Sequence, residues 1–208
     1  MERGNARLEN DMPVIVASRR LMCENTKFYV YFEHVIDKAG FEVRDYLVVA
    51  PKTAGGNLIT GVAILPIVDG KVGLARIYRP ALRAYSWEIP HGFVDEGEDN
   101  ETSAARELLE ESGLVVKPAC LSSLGFITPD SGVIAARVEL FVAEVGQMKK
   151  PREEELGIRE FCFFSFRAFE EMIQNSEVQD TFTLAAWCKY QLLQDVEPLG
   201  EATHRAAS

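Results

Sequence analysis

Cysteine is scarce, and its four copies, Cys23, Cys120, Cys162 and Cys188, stand far apart with no CxxC pair. That spacing argues against a disulfide framework and a structural zinc site. A reduced, cytoplasmic setting fits such usage, with all four thiols expected to be buried and inert. No apolar run approaches the ~20 residues a membrane helix needs. The opening MERGNARLENDMP lacks the apolar stretch of a signal peptide. Basic residues are also few, 22 Lys and Arg against 32 Asp and Glu, a net charge of −10. This balance disfavours bulk binding to nucleic-acid phosphate or anionic lipid. It leaves room for a small anionic substrate held by a metal and a few arginines. Histidine is nearly absent, and His34 and His204 have no nameable partner. No Ser, Cys or His stands in the arrangement a covalent nucleophile needs.

What is present is ordinary for a globular chain: 208 residues, 47% hydrophobic and 26% charged. That is one large domain, or a domain with a modest accessory piece. Residues 1–12 read as a loose arm, 13–55 as an N-terminal β element, 56–198 as the main domain and 199–208 as a tail. Strands are predicted at Phe28–Ile36 and Phe41–Ala50, with Asp37–Gly40 as a hairpin turn between them. Ile59–Val68 and Lys71–Tyr78 flank Asp69-Gly70, a strong two-residue hairpin signal. Further strands are expected at Ser86–Ile89, Leu121–Ile127, Val138–Val145 and Phe161–Phe164. Helices are expected at Asp99–Ser112, Phe166–Gln174 and Thr181–Leu193. Asp99 sits where an N-cap belongs, and Gly113 where a C′ glycine ends a helix. The order does not alternate strand and helix, so an α+β sandwich around a mixed sheet is the expected fold class.

Chemistry concentrates in Gly92–Leu114, GFVDEGEDNETSAARELLEESGL. On a helical wheel with Glu107 at 0°, Glu110 lies at about −60° and Glu111 at about +40°. Three carboxylates therefore share a face, with Ala105, Leu108 and Leu109 expected on the packing half. Arg106 is one turn before Glu110, in reach of an ion pair. Clustered carboxylates repel one another and call for a positive charge. Hard oxygen ligands at this spacing suit Mg²⁺, with Mn²⁺ able to substitute. A solvated acidic face is the bland alternative.

The flanks decide between them. Gly92, Glu98 and Arg-Glu-Leu-x-Glu-Glu-x-Gly-Leu satisfy GX5EX7REUXEEXGU at every fixed position. Nine constrained positions match by chance at roughly 10⁻⁷ over such a chain. In this segment the chain resembles the Nudix hydrolases. The resemblance implies an α/β/α sandwich around a mixed sheet and hydrolysis of a nucleoside diphosphate linked to another group. It implies Glu107 and Glu111 as principal metal ligands. Glu110 would be a further ligand or would orient the attacking water, Arg106 would hold a box glutamate, and Glu98 would brace the loop or touch a second metal.

The segment ARIYRPALRAYSWEIPHGFVDEGE resembles the ADP-ribose pyrophosphatase branch. That likeness implies Arg79 on the diphosphate, a metal-directed backbone carbonyl at His91, and substrate contact at Phe93. Pro129, 15 residues past the box, is similar in placement to a proline of ADP-sugar hydrolases, although the next acid, Glu139, falls inside a predicted strand. The branch also takes an acid from a late loop as metal ligand or general base. GQMKKPREEELGI offers Glu155, then Glu154, then Glu153. The N-terminal strands are similar to a dimerising element, which implies a homodimer with Phe28, Tyr29 and Phe32 stacking adenine and Arg44 on ribose or phosphate. ADP-ribose cleaved to AMP and ribose 5-phosphate is the expected reaction. GDP-mannose or another nucleotide sugar, NADH, a flavin dinucleotide, a dinucleoside polyphosphate, or a non-catalytic nucleotide sensor are the alternatives.

Overall fold

The computed structural model describes residues 12–53, 56–144 and 158–194. It falls into two compact units, Met1–Thr60 with Thr128–Arg137, and Gly61–Ile127 with Val138–Ser208.

The first unit is built on a three-stranded antiparallel sheet in the order β1-β2-β3: β1 (Val14–Glu24), β2 (Phe28–Asp37) and β3 (Glu42–Pro51). Asp37 and Gly40 (φ 85°) form the β2–β3 turn. β1 had no assigned place in the sequence pattern. Register shifts after Val16 and Leu21 break its two-residue period, so no alternation survives to be read. Within this unit Thr128–Arg137 meets β3 through the Val49–Ile134 bridge, and Tyr46 donates to the Gly132 carbonyl at 2.8 Å. The sequence pattern did not anticipate that segment's association with β3.

The second unit is the α/β/α sandwich. Its main sheet runs β10-β5-β4-β9-β8, with β4 (Ile59–Val68), β5 (Lys71–Arg79), β8 (Leu121–Ile127), β9 (Arg137–Glu144) and β10 (Ile158–Ser165). β4 and β5 pair only at their hairpin end, Ile67↔Val72 and Val68↔Lys71. Beyond it they part, and two short strands fill the fork: β6 (Ala84–Glu88) pairs with β5, and β7 (His91–Phe93) with β4. The sequence predicted one strand at Ser86–Ile89 here. Pro90 removes a backbone donor, and two strands lie on either side of it. The fork brings Glu88, His91 and Gly92 together.

Alternate side chains of β4 face two cores. Ala63 and Leu65 pack with Phe169, Trp187 and Tyr190 of α2 (Phe166–Gln174) and α3 (Thr181–Gln194). Val62 and Ile64 pack with Ala104 and Leu108 of α1 (Asn100–Ser112). Asp99 caps α1 by accepting from the Thr102 N–H at 2.7 Å, and Gly113 ends it at φ 75°.

The thiols depart from expectation. Cys23, Cys120 and Cys188 are exposed, because they sit on an edge strand, in a one-turn 3₁₀ segment and on the outer side of α3. Cys162 is intermediate, and burial together with Glu160 pushes its thiol pKa up.

Candidate metal and diphosphate site

The buried residues of α1 are Ser103, Ala104, Glu107, Leu108, Glu111 and Ser112. With Glu107 at 0°, they span an arc from about −40° to +140°. The carboxylates of Glu107 and Glu111 are thus part of the inward face, beside Ala104 and Leu108, each with only 7% of its surface exposed. This corrects the wheel drawn from sequence, which put the acids and the packing residues on opposite halves. Ala105 and Leu109 are only half-buried. Glu110 stands at the rim of the arc.

A glycine makes room for this. A Cβ at Gly92 would overlap the Glu107 carboxylate, so the acid side chain lies directly on the β7 backbone. Glu111 is held by the neighbouring residue, whose backbone donates: His91 N–H to Glu111 Oε2, 3.2 Å.

Arg106 gathers the remaining acids. Its Nη1 donates to Glu107 Oε1 at 2.8 Å and to Glu110 Oε2 at 3.1 Å; its Nε donates to Glu98 Oε2 at 3.3 Å. Its Nη2 donates to the Phe93 carbonyl at 3.1 Å and lies 3.3 Å from Asp95. Burial opposes its charge, but Glu107 and the other acids outweigh that and raise its pKa. The Ser103 hydroxyl, then Arg106, hold the Glu98 carboxyl below its ordinary value. One guanidinium therefore faces Asp95, Glu98, Glu107 and Glu110, with Glu111 alongside. The local excess of negative charge is what a divalent cation would offset. Among the described residues no group of three His, Cys, Asp or Glu side chains is already placed to hold a metal ion. Arg106 draws Glu98 and Glu110 to itself. The donor set is all hard oxygen, and the Gly92 cradle admits a carboxylate against backbone, so the residues fit Mg²⁺ or Mn²⁺ better than a softer ion.

Arg79 belongs to the same neighbourhood. Its Nε donates to Glu88 at 3.0 and 3.1 Å, and its Nη2 to Glu88 Oε2 at 2.5 Å. Burial works against the Glu88 charge, yet Arg79 outweighs it and the carboxyl pKa is lowered. Arg79 is raised in turn, chiefly by Glu88, with Glu111 and Asp180 adding to it. Its Nη2 also lies 2.9 Å from His91 Nε2, while His91 Nδ1 lies 2.9 Å from the Ile89 carbonyl. A carbonyl only accepts, so the geometry assigns the proton to Nδ1 and makes Nε2 the acceptor. Both ring nitrogens are engaged, leaving the backbone of His91 as its route to a metal.

Three residues of α3 and its cap escaped the sequence pattern. Thr183, fully buried, accepts from the Ile89 N–H at 3.0 Å and donates to Asp180 Oδ2 at 2.7 Å. The Phe182 ring meets the His91 ring edge-on at 5.1 Å. They fix Ile89 and His91 directly, a contact 94 residues distant in sequence that no local spacing could signal.

The other expected site residues fall elsewhere. Glu139 is buried on β9 between Asn100 and Ser123, 2.6 Å from each, where it braces the start of α1. Phe28, Tyr29, Phe32 and Arg44 belong to the first unit: Lys52 lies over Tyr29, Arg20 over Phe32, and Arg44 pairs with Glu42 at 2.6 Å. His34 has a partner after all, Glu42 at 2.7 Å. Pro129 also lies in the first unit. Glu153, Glu154, Glu155 and His204 lie outside the described residues.

The NUDIX domain profile matches residues 58–196. The chain belongs to the Nudix family. An RNA pyrophosphohydrolase of Caulobacter vibrioides is 47% identical over 62 residues, 30% of this chain and 36% of that one. An ADP-ribose pyrophosphatase of Bacillus subtilis is 29% identical over 139 residues, 65% of this chain and 74% of that one. Against several curated relatives the chain spans less than half their length. A solved structure described as an ADP compounds hydrolase shares the fold at TM-score 0.71 and 16% identity, over 88% of this chain and 94% of that chain. Among the described residues, no helix of this Nudix protein is long and apolar enough to cross a membrane.

Proposed function

We propose that this protein is a metal-dependent hydrolase of nucleoside diphosphates linked to a further group, with ADP-ribose as substrate and AMP and ribose 5-phosphate as products. One observation carries the reading: two buried glutamates, one turn apart, lie on the β7 backbone, Glu107 against Gly92 and Glu111 on the His91 N–H, beside an arginine outnumbered by acids. Glu107 and Glu111 would hold Mg²⁺, with Glu110 and Glu98 in reach. The cation, when bound, offsets diphosphate charge and lowers the pKa of a water. Arg106 keeps the acids from splaying. Arg79 presents a guanidinium to the diphosphate, held in place by Glu88. Glu155, or Glu154 beside it, takes the proton of the attacking water. Water attacks phosphorus opposite the leaving phosphate, the P–O–P bridge breaks, and no covalent enzyme intermediate is needed.

ADP-ribose is favoured by the Bacillus relative, which aligns over most of both chains. The RNA pyrophosphohydrolase match spans only 62 residues, 30% of this chain, and a net charge of −10 opposes a polyanionic RNA. The protein works as a cytoplasmic homodimer in this account, Phe28, Tyr29, Phe32 and Arg44 of the first unit serving the nucleoside. A product screen over ADP-ribose, GDP-mannose, NADH, a flavin dinucleotide and a dinucleoside polyphosphate, with Mg²⁺ and with Mn²⁺, tests the assignment. ADP-ribose should have the highest kcat/KM. A tenfold higher value for another compound would replace the substrate, and binding of ADP-ribose without release of AMP would make the protein a sensor.

A further inference from the structure

A groove of about 730 Å³ opens in the second unit between β6 and the α2–α3 connection. That is the size of a small-molecule site. Tyr85 and Trp87 form one wall, with the Arg76 guanidinium over their rings at 5.2 and 5.6 Å. Glu177 and Asp180 come from the α2–α3 connection. Asp180 spends only Oδ2 on the Thr183 backbone and hydroxyl. The groove reaches the diphosphate site through Glu88, which lines it, holds Arg79, and lies 3.7 Å from His91 Nε2.

This chemistry selects a class of ligand. Adjacent carboxylates accept hydrogen bonds from neighbouring hydroxyls. Aromatic faces pack against sugar C–H groups. Glu88 is paired with Arg79 and Arg76 with Glu160, so Glu177 and Asp180 are the acids left to the groove, against Arg159 over Tyr85 at 5.6 Å, and the balance disfavours a phosphate or carboxylate. We propose that it seats an uncharged sugar with a vicinal diol, one of the two sugars flanking the diphosphate. The assignment rests on the hydrolase reading above. It restricts the substrate to compounds with a neutral sugar at that side, and disfavours those carrying a further phosphate there.

The test compares kcat/KM of the full chain with Mg²⁺ for three compounds: ADP-ribose, the methyl ester of ADP, which lacks the distal sugar, and ADP-ribose built on 2′,3′-dideoxyadenosine. Wild type is set against Glu177→Lys and Tyr85→Leu, both at exposed positions, with thermal unfolding as the check on folding and Glu177→Gln in place of any variant that unfolds. ADP-ribose turnover should fall at least fivefold in the variants. If the groove holds the distal sugar, the preference for ADP-ribose over the methyl ester collapses; if it holds the nucleoside sugar, the preference over the dideoxy compound collapses. An active wild type whose variants keep both preferences overturns the groove assignment alone. A wild type that cleaves none of the three overturns the hydrolase reading and the groove with it.

Discussion

The Glu107 carboxylate occupies the space in which any residue but glycine at position 92 would place its Cβ. Helix α1 and strand β7 are thereby locked at van der Waals distance by one side chain, the one proposed to hold the cation. Gly92→Ala must push Glu107 out of its cradle. Displacements of about an ångström at a reacting centre cost on the order of 10²-fold. Gly92→Ala should therefore lower kcat about 10²-fold while far-ultraviolet circular dichroism still reports the native fold. Wild-type kcat in the Gly92→Ala enzyme would show that Glu107 need not lie there.

Glu88 and Arg79 give a pH-dependent prediction. The folded Glu88 carboxyl titrates below its ordinary value of 4.5, so it stabilises the fold above that value and loses the contribution as pH falls through its folded pKa. Glu88→Gln should cost about 1–3 kcal/mol at pH 7, below the range for a fully buried pair because Arg79 is partly exposed to solvent. The difference from wild type should shrink as the pH is lowered beneath 4.5. Urea unfolding across that range measures it, and a pH-independent difference would remove the charged pair as the cause.

Thr183 should matter for stability, because it is fully buried and holds the Ile89 N–H. Thr183→Val leaves the Ile89 N–H buried without its acceptor, a cost of about 1–3 kcal/mol. Thr183→Ser should restore most of it, since the hydroxyl and not the methyl makes the bond. Equal stability of the Val and Ser variants, by denaturant unfolding, would contradict this.

Much of this was legible in the sequence, for identifiable reasons. α1 announces itself through Asp99, Gly113 and the fixed spacing of its acids, all local signals. Arg106 and Glu110 pair as the one-turn spacing requires. What was not legible is long-range. The inward turn of Glu107 and Glu111 depends on Gly92 and His91, which only the β4–β5 fork brings over the helix. β1 hides behind two register shifts, and β7 is three residues long. The α3 contacts join residues 94 positions apart. Cysteine exposure follows from which edges the fold leaves open, which periodicity does not encode.

The central claim is that Glu107 and Glu111 hold the cation on which cleavage of a diphosphate depends. The most direct measurement follows AMP release from ADP-ribose by wild type and Glu111→Gln, with Mg²⁺ and after chelation. The account predicts Mg²⁺-dependent release by wild type and a loss of at least ~10²-fold in kcat for the folded variant. A Glu111→Gln protein as active as wild type, or release of AMP that persists after chelation, would contradict it.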